Sequence, residues 1–316
     1  MIHNISIQKL RTSLFLVLLA VSQVVISQQD SQYTQYMYNT QTVNPAYAGN
    51  RGVLSMMGLY RTQWVGIHGA PETLNFSLNT PVGERVGLGL SFYKDKIGIS
   101  TENNIAVDFS YTIPMSYRNT TLLSFGVKTG INSLDVDFSK LNPNDVTDPA
   151  FSSANSISGQ VSPILGLGLY LHHSDKWYLG VSAPNLLETD HYDDTTVSTA
   201  EEDIHFYFIG GYVFDLNPSW KLKPAVLLKE VKGAPLAADV SANFLYNERF
   251  TLGAAYRWDS AVSGLLGFQV SDRIMLGYAY DYDITDIGNY SKGSHEFFLR
   301  FEIVNGDKGV FNPRFF

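Results

Sequence analysis

The stretch Arg249-Phe-Thr-Leu-Gly-Ala-Ala-Tyr-Arg-Trp-Asp259 alternates two kinds of side chain. Phe250, Leu252, Ala254, Tyr256 and Trp258 fall on one face; Thr251, Gly253, Ala255, Arg257 and Asp259 fall on the other. Side chains of an extended backbone point alternately up and down, so this pattern predicts a strand with two unlike faces. The same alternation recurs along most of the chain. Strands are expected near 52–66, 72–80, 85–95, 100–113, 120–135, 161–173, 176–184, 204–216, 220–230, 235–246, 249–259, 261–270, 273–284 and 294–304. Large apolar sets repeat on one face, such as Val86, Leu88, Leu90, Phe92 and Phe297, Leu299, Phe301, Ile303, against small or charged partners. A strand of about 10 residues tilted near 40° crosses a hydrocarbon band of about 25 Å. The expected fold is all-β: a transmembrane antiparallel β-barrel of about 14 strands in the outer membrane.

The connections support that expectation. Short ones, Pro81–Glu84, Pro114–Asn119, His173–Asp175, Asn217–Ser219, Asn247–Glu248 and Ser271–Asp272, alternate with the long Asp137–Gln160 and Asn185–Asp203. Short turns of such barrels face the periplasm and long loops face out, which would leave both chain ends in the periplasm. A soluble sandwich would need crossovers between two sheets rather than hairpins between neighbours.

The amino end reads as an export signal. Lys9 and Arg11 precede an apolar run from Ser13 to Ile26, and Val25 and Ser27 suit cleavage after Ser27, with Ser22 as the rival site. The expected organisation is a signal at 1–27, an amino-terminal periplasmic plug segment at 28–51, the barrel at 52–304 and a periplasmic tail at 305–316. The formal net charge of −8 gives no electrostatic reason to bind nucleic acid. The absence of cysteine excludes disulfides and thiolate metal sites.

Ahead of the first strand stand Gln32-Tyr-Thr-Gln-Tyr-Met-Tyr-Asn39 and Val43-Asn-Pro-Ala-Tyr-Ala-Gly49. The first strand closes on Tyr60-Arg-Thr-Gln-Trp64, followed by Gly69-Ala-Pro71 and Leu74–Thr80. This succession resembles the PorP/SprF-like outer-membrane proteins of the type IX secretion system. The ending Asn312-Pro-Arg-Phe-Phe316 is also similar to that family's. The resemblance covers the mature chain in length and layout, and its specificity sits in residues 32–80. It implies a non-enzymatic role, in gliding and secreting Bacteroidetes, in exporting or surface-anchoring a large adhesin with a type-B carboxy-terminal sorting domain. The implied partners are that secreted protein, the type IX translocon, outer-membrane lipid and a periplasmic peptidoglycan-binding lipoprotein. Asn44, Pro45, Ala46, Tyr47, Gly49, Tyr60, Arg61, Gln63 and Trp64 are the candidate partner-binding residues. A passive pore or a hydrophobic-solute transporter is the alternative.

Read without the family, Asn44-Pro45 favours a turn, because proline fixes φ and disfavours a helical predecessor. Tyr33, Tyr36, Tyr38 and Tyr47 would find apolar surroundings only against the barrel, so residues 28–50 are expected to fold against its inner mouth. Arg61 should point inward with Leu59 and Gln63, while Tyr60 and Trp64 reach lipid. Arg257, Asp281, Asp283, Glu296 and Arg300 also fall on lumen faces, as do Lys128, Lys223 and Glu302. Charges in a narrow bore must pair, so interlocked ions are expected rather than an ion pathway. The acidic runs at 135–148 and 188–203 lack the spacing of a calcium loop and read as solvated loops. Gly87-Leu-Gly89 and Gly166-Leu-Gly168 follow the strand period, with no helix behind them to cradle phosphate. No cofactor is expected. The tail at 305–316 suits either a docking role or recognition by barrel-insertion machinery.

Overall fold

The computed structural model describes residues 32–118, 120–140, 156–174, 176–187, 189–190 and 201–303. The strands are β1 (Leu54–Thr62), β2 (Glu72–Val82), β3 (Val86–Ile97), β4 (Ser100–Pro114), β5 (Thr121–Val136), β6 (Ile157–His173) and β7 (Trp177–Ala183). Next come β8 (His205–Tyr212, resumed as Phe214–Asn217), β9 (Trp220–Val231), β10 (Ala237–Tyr246) and β11 (Phe250–Arg257). The set ends with β12 (Ala261–Ser271), β13 (Ile274–Asp283) and β14 (Ser294–Ile303). A two-residue ladder, Thr189–Asp190 with Glu201–Glu202, stands apart from them.

Each strand pairs antiparallel with its chain neighbour, and β1 pairs with β14 from Leu54↔Ile303 to Thr62↔His295. The chain is therefore a closed barrel of 14 antiparallel strands. Closure satisfies every ladder and leaves no edge, as a sheet surrounded by lipid requires. Among the described residues no helix is long and apolar enough to cross a membrane.

Alternation sorts the two faces. On β4, Ile105, Val107, Phe109 and Tyr111 are exposed, whereas Ala106, Asp108 and Ser110 are buried. Toward one end of the barrel, outward rings pack at a tilt: Trp220 on Tyr246 at 4.7 Å and Phe250 on Phe268 at 4.8 Å between centroids. Such rings suit the boundary between hydrocarbon and headgroups.

The two ends differ in their connections. At the turn end, β2–β3, β6–β7, β8–β9, β10–β11 and β12–β13 are joined tightly. Asn247 and Glu248 both have positive φ, at 46° and 56°, in the three-residue turn between the paired Tyr246 and Phe250, where the left-handed region reverses the chain sharply. At the loop end lie the longer connections after β1, β5, β7 and β13, with a tight Gly98 turn after β3 among them.

Two expected boundaries shift. β1 stops at Thr62, and Gln63 N–H turns aside to donate to Pro71 O at 2.9 Å. Trp64 follows with φ 47°, so neither residue continues the alternation. β6 begins at Ile157, ahead of the expected 161, because its ladder with β5 continues past a register shift near Leu134. The signal segment, the middle of both acidic runs and the tail at 305–316 lie outside the described residues.

Candidate functional site

Residues 32–51 lie inside the barrel and supply much of its core. Tyr36, Met37, Tyr38, Val43, Ala46 and Tyr47 form one apolar cluster with Met57, Leu59, Tyr170, Tyr178, Leu265 and Phe298 from the wall. Tyr38 stacks obliquely on Phe298 at 5.1 Å, and Tyr47 meets Tyr170 edge-on at 5.4 Å. Burial of tyrosines that would otherwise face water drives the insertion. Two short 3-10 turns, Thr40–Thr42 and Pro45–Tyr47, fold the segment. Asn44 caps the second turn: its side chain accepts from Ala46 N–H at 2.9 Å and donates to Leu169 O at 2.9 Å. Pro45 occupies the first helical position, where no N–H is needed.

The wall is hollowed to receive this backbone. A Cβ added at Gly126 would sit 2.1 Å from Ala46 N, and one at Gly87 would sit 2.1 Å from Ala48 O. At Gly168 it would meet the Asn44 side chain at 2.2 Å. Gly126 and Gly168 are cross-strand partners, so the recess runs across β5 and β6. Gly49 is doubly constrained: its φ is +73°, and a Cβ there would press on the Gly87 Cα at 2.6 Å. Wall hydroxyls finish the fit. Ser110 donates to Ala48 O at 2.6 Å and Ser182 to Val43 O at 2.5 Å.

Charges hold the two ends of the segment to the seam where β1 meets β14. Glu296 accepts the backbone N–H groups of Thr34 and Gln35, each at 2.9 Å. The Thr34 hydroxyl donates to Asp281 at 2.7 Å. Arg61 joins both carboxylates, at 2.7 Å to Asp281 and 3.1 Å to Glu296, and is the strand partner of Glu296 across the seam. Near the turn end, Arg51 reaches Glu302 at 2.6 Å, and Ser55 donates to the same carboxylate at 3.3 Å. Midway, Gln41 donates to Asp108 at 2.8 Å, and Lys128 pairs with that carboxylate at 2.8 Å. Lys223 lies 5.0 Å from the Tyr38 ring, a cation over an aromatic face.

The model of the family described as type IX secretion system membrane protein PorP/SprF matches residues 25–301. The chain belongs to the PorP/SprF family. Comparison with curated proteins returns no match. Among solved structures, the Acinetobacter baumannii outer membrane protein Omp33 is similar with TM-score 0.47 and 8% identity, over 79% of this chain and 98% of that one. KdgM porin follows with TM-score 0.40 and 8% identity, over 79% and 99%. A TodX mutant, a monoaromatic hydrocarbon channel, has TM-score 0.42 and 10% identity, over 78% and 87%. The fold itself rests on this chain's own strand pairing.

In this PorP/SprF chain the candidate residues separate into groups. Asn44, Pro45, Ala46, Tyr47 and Gly49 lie in the inserted segment, where they contact the barrel's own wall. Arg61 is fully buried in the seam, while Tyr60 beside it is exposed on the outer face. Gln63 and Trp64 belong to the hairpin over the loop end, where Trp64 N–H donates to Ser294 at 3.2 Å. Arg257 pairs with Asp239 at 2.8 Å, and Arg300 lies 3.5 Å from Glu302. Asp283 sits at the rim and accepts from Ser291 at 3.0 Å. The expectation for residues 28–50 needs correction in depth. The described part fills the lumen instead of covering one mouth, because its Thr34 and Gln35 bond near the loop end. Sequence reading also missed the receiving glycines. Their signal was present as glycine at inward positions on adjacent strands.

Beside the segment a cavity of about 140 Å³ remains, reaching from Thr42 and Val43 to Asn185 and Asp203. Tyr33, Tyr36, Asn132, Lys128, Asp203 and Lys229 are among its lining residues.

Proposed function

We propose that this chain assists the export or surface anchoring of a large secreted protein through the type IX system, by binding proteins rather than by conducting solutes. The observation that carries this reading beyond the family match is the filled lumen. An apolar core with interlocked ions occupies the space that a diffusion pore keeps wet. The cargo would be an adhesin bearing a type-B sorting domain, and the turn end would face the periplasm, within reach of a peptidoglycan-binding lipoprotein. The signal at 1–27 would be removed on export. Nothing in the reading requires catalysis.

Loss of the chain from its host should leave a large secreted protein with a type-B sorting domain unsecreted or unanchored, read by antibody on intact cells. Purified barrel in a planar bilayer should be nearly silent. Normal display of the cargo without this chain, together with steady open-channel steps, would establish the pore instead.

A further inference from the structure

The cavity beside the inserted segment has a polar shelf along one wall. Asn75, Tyr93, Asn104 and Asn132 are successive cross-strand partners on β2, β3, β4 and β5, and each of them lines the cavity. Alternation turns all of them inward. Glu102, on the same face of β4, accepts from the Asn132 amide at 2.7 Å and from the Tyr93 hydroxyl at 3.2 Å. These bonds fix how Asn132 is turned. Its Oδ1 accepts no hydrogen bond among the described residues, although the residue is only 4% exposed. A buried acceptor in that state is costly unless something donates to it. From β8, β9 and β10, Tyr207, Lys229 and Asp239 line the other side. Tyr36 and Val43, both packed into the apolar cluster, bound the cavity where the segment passes. Asn185 and Asp203, just past β7 and just ahead of β8, mark its reach toward the loop end.

We propose that this cavity binds one neutral sugar ring, a hexose held by its hydroxyls, whether free or at the end of a glycan. Size, charge and hydrogen bonding each select that class. A volume of about 140 Å³ holds roughly ten waters, room for a single pyranose ring. Charge nearly cancels: Lys128 pairs with Asp108 and Asp239 with Arg257, while Lys229 stands with Glu102 and Asp203. No surplus of cations is there to hold an anion. An apolar guest would leave the amides of the shelf facing carbon. A hydroxyl both donates and accepts, so neighbouring sugar hydroxyls can donate to Asn132 Oδ1 and accept from the amide N–H groups beside it. Tyr33, Tyr36 and Tyr207 offer flat apolar faces for the C–H side of the ring. The inserted segment blocks the way onward, so the sugar is held rather than conducted. The inference rests on the cavity alone and is independent of the export role.

The test is saturation-transfer NMR on the whole barrel, purified in a detergent without a sugar headgroup. Glucose, galactose, mannose and rhamnose are each offered free and tethered through the anomeric carbon to a soluble polymer. At least one should show transfer with millimolar affinity. Transfer from the free sugar alone identifies a solute; transfer from the tethered form as well identifies a glycan end. Asn132→Leu, in a barrel whose heat-modifiable band shows it folded, should weaken binding roughly tenfold. The native chain lacks cysteine, so Ala237→Cys at the loop end of β10 is folded first and then capped with a bulky maleimide, which should abolish transfer. Gly264→Val, on the outer face, should leave binding unchanged. No transfer from any of the sugars would overturn the proposal, as would transfer that neither Asn132→Leu nor the Ala237→Cys cap weakens. Tighter binding of glucuronate than of glucose would replace it with an anion site.

Discussion

The inserted segment meets two unlike walls. On the seam side, β13, β14 and β1 hold it with charge: Arg61 bridges Asp281 and Glu296 at one end, and Glu302 takes the segment's own Arg51 at the other. On the opposite side, Gly87, Gly126 and Gly168 remove the side chains that would collide with it, and Ser110 and Ser182 donate to its carbonyls. The seam reads position, because a buried ion tolerates only one partner geometry. The glycine wall reads thickness, because a close-packed interior has no room to yield. Barrel closure and the hold on the segment thus share a residue on the seam side. Glu296 pairs across the closing strands and grips the segment with the same carboxylate.

The comparison can be broken from either wall. Arg61→Met should have the largest effect, leaving Asp281 and Glu296 buried without their cation at a cost of about 3–5 kcal/mol. The measurement is the urea midpoint of the folded, heat-modifiable band, and an unchanged midpoint would show that the seam ions are idle. Gly126→Val should cost about 1–3 kcal/mol by overpacking. Gly264→Val, where an added Cβ meets nothing within 4 Å, is its control and should fold normally. Equal midpoints for these two variants would dismiss the glycine recess. Asn44→Ala removes one cap and one wall contact, for about 1 kcal/mol, and should increase protease access to residues 32–51 before it lowers the midpoint.

The smallest effect belongs outside the barrel wall. The Ser139 hydroxyl, followed by Lys140, holds the exposed Asp137 carboxyl below its ordinary range. A depressed carboxylate contributes order above its unfolded pKa and loses it as pH falls through the folded one. The 137–140 turn should therefore stay ordered until the pH drops beneath the usual aspartate range, as followed by carboxyl NMR titration. Asp137→Asn should leave barrel stability unchanged.

Much of the wall was legible in the sequence. Alternation assigned Phe109 to lipid and Asp108 to the lumen because side-chain direction in a strand is local. It placed Arg61 inward for the same reason. It failed at Gln63 and Trp64, where a turn chosen by Pro71 and Ser294 replaces the strand. Tyr36, Tyr38 and Tyr47 signalled a need for burial, yet nothing local said how deep they would go.

Periodicity alone therefore determined the strands, their count within narrow bounds and the facing of side chains inside them, since those depend on neighbours in the chain. Only the folded barrel decided what fills it. Thr34 finds Glu296 across 262 residues, and Gly126 is needed because Ala46 passes beside it. Such partners are set by closure of the cylinder, which brings distant residues together after each strand has already chosen its faces.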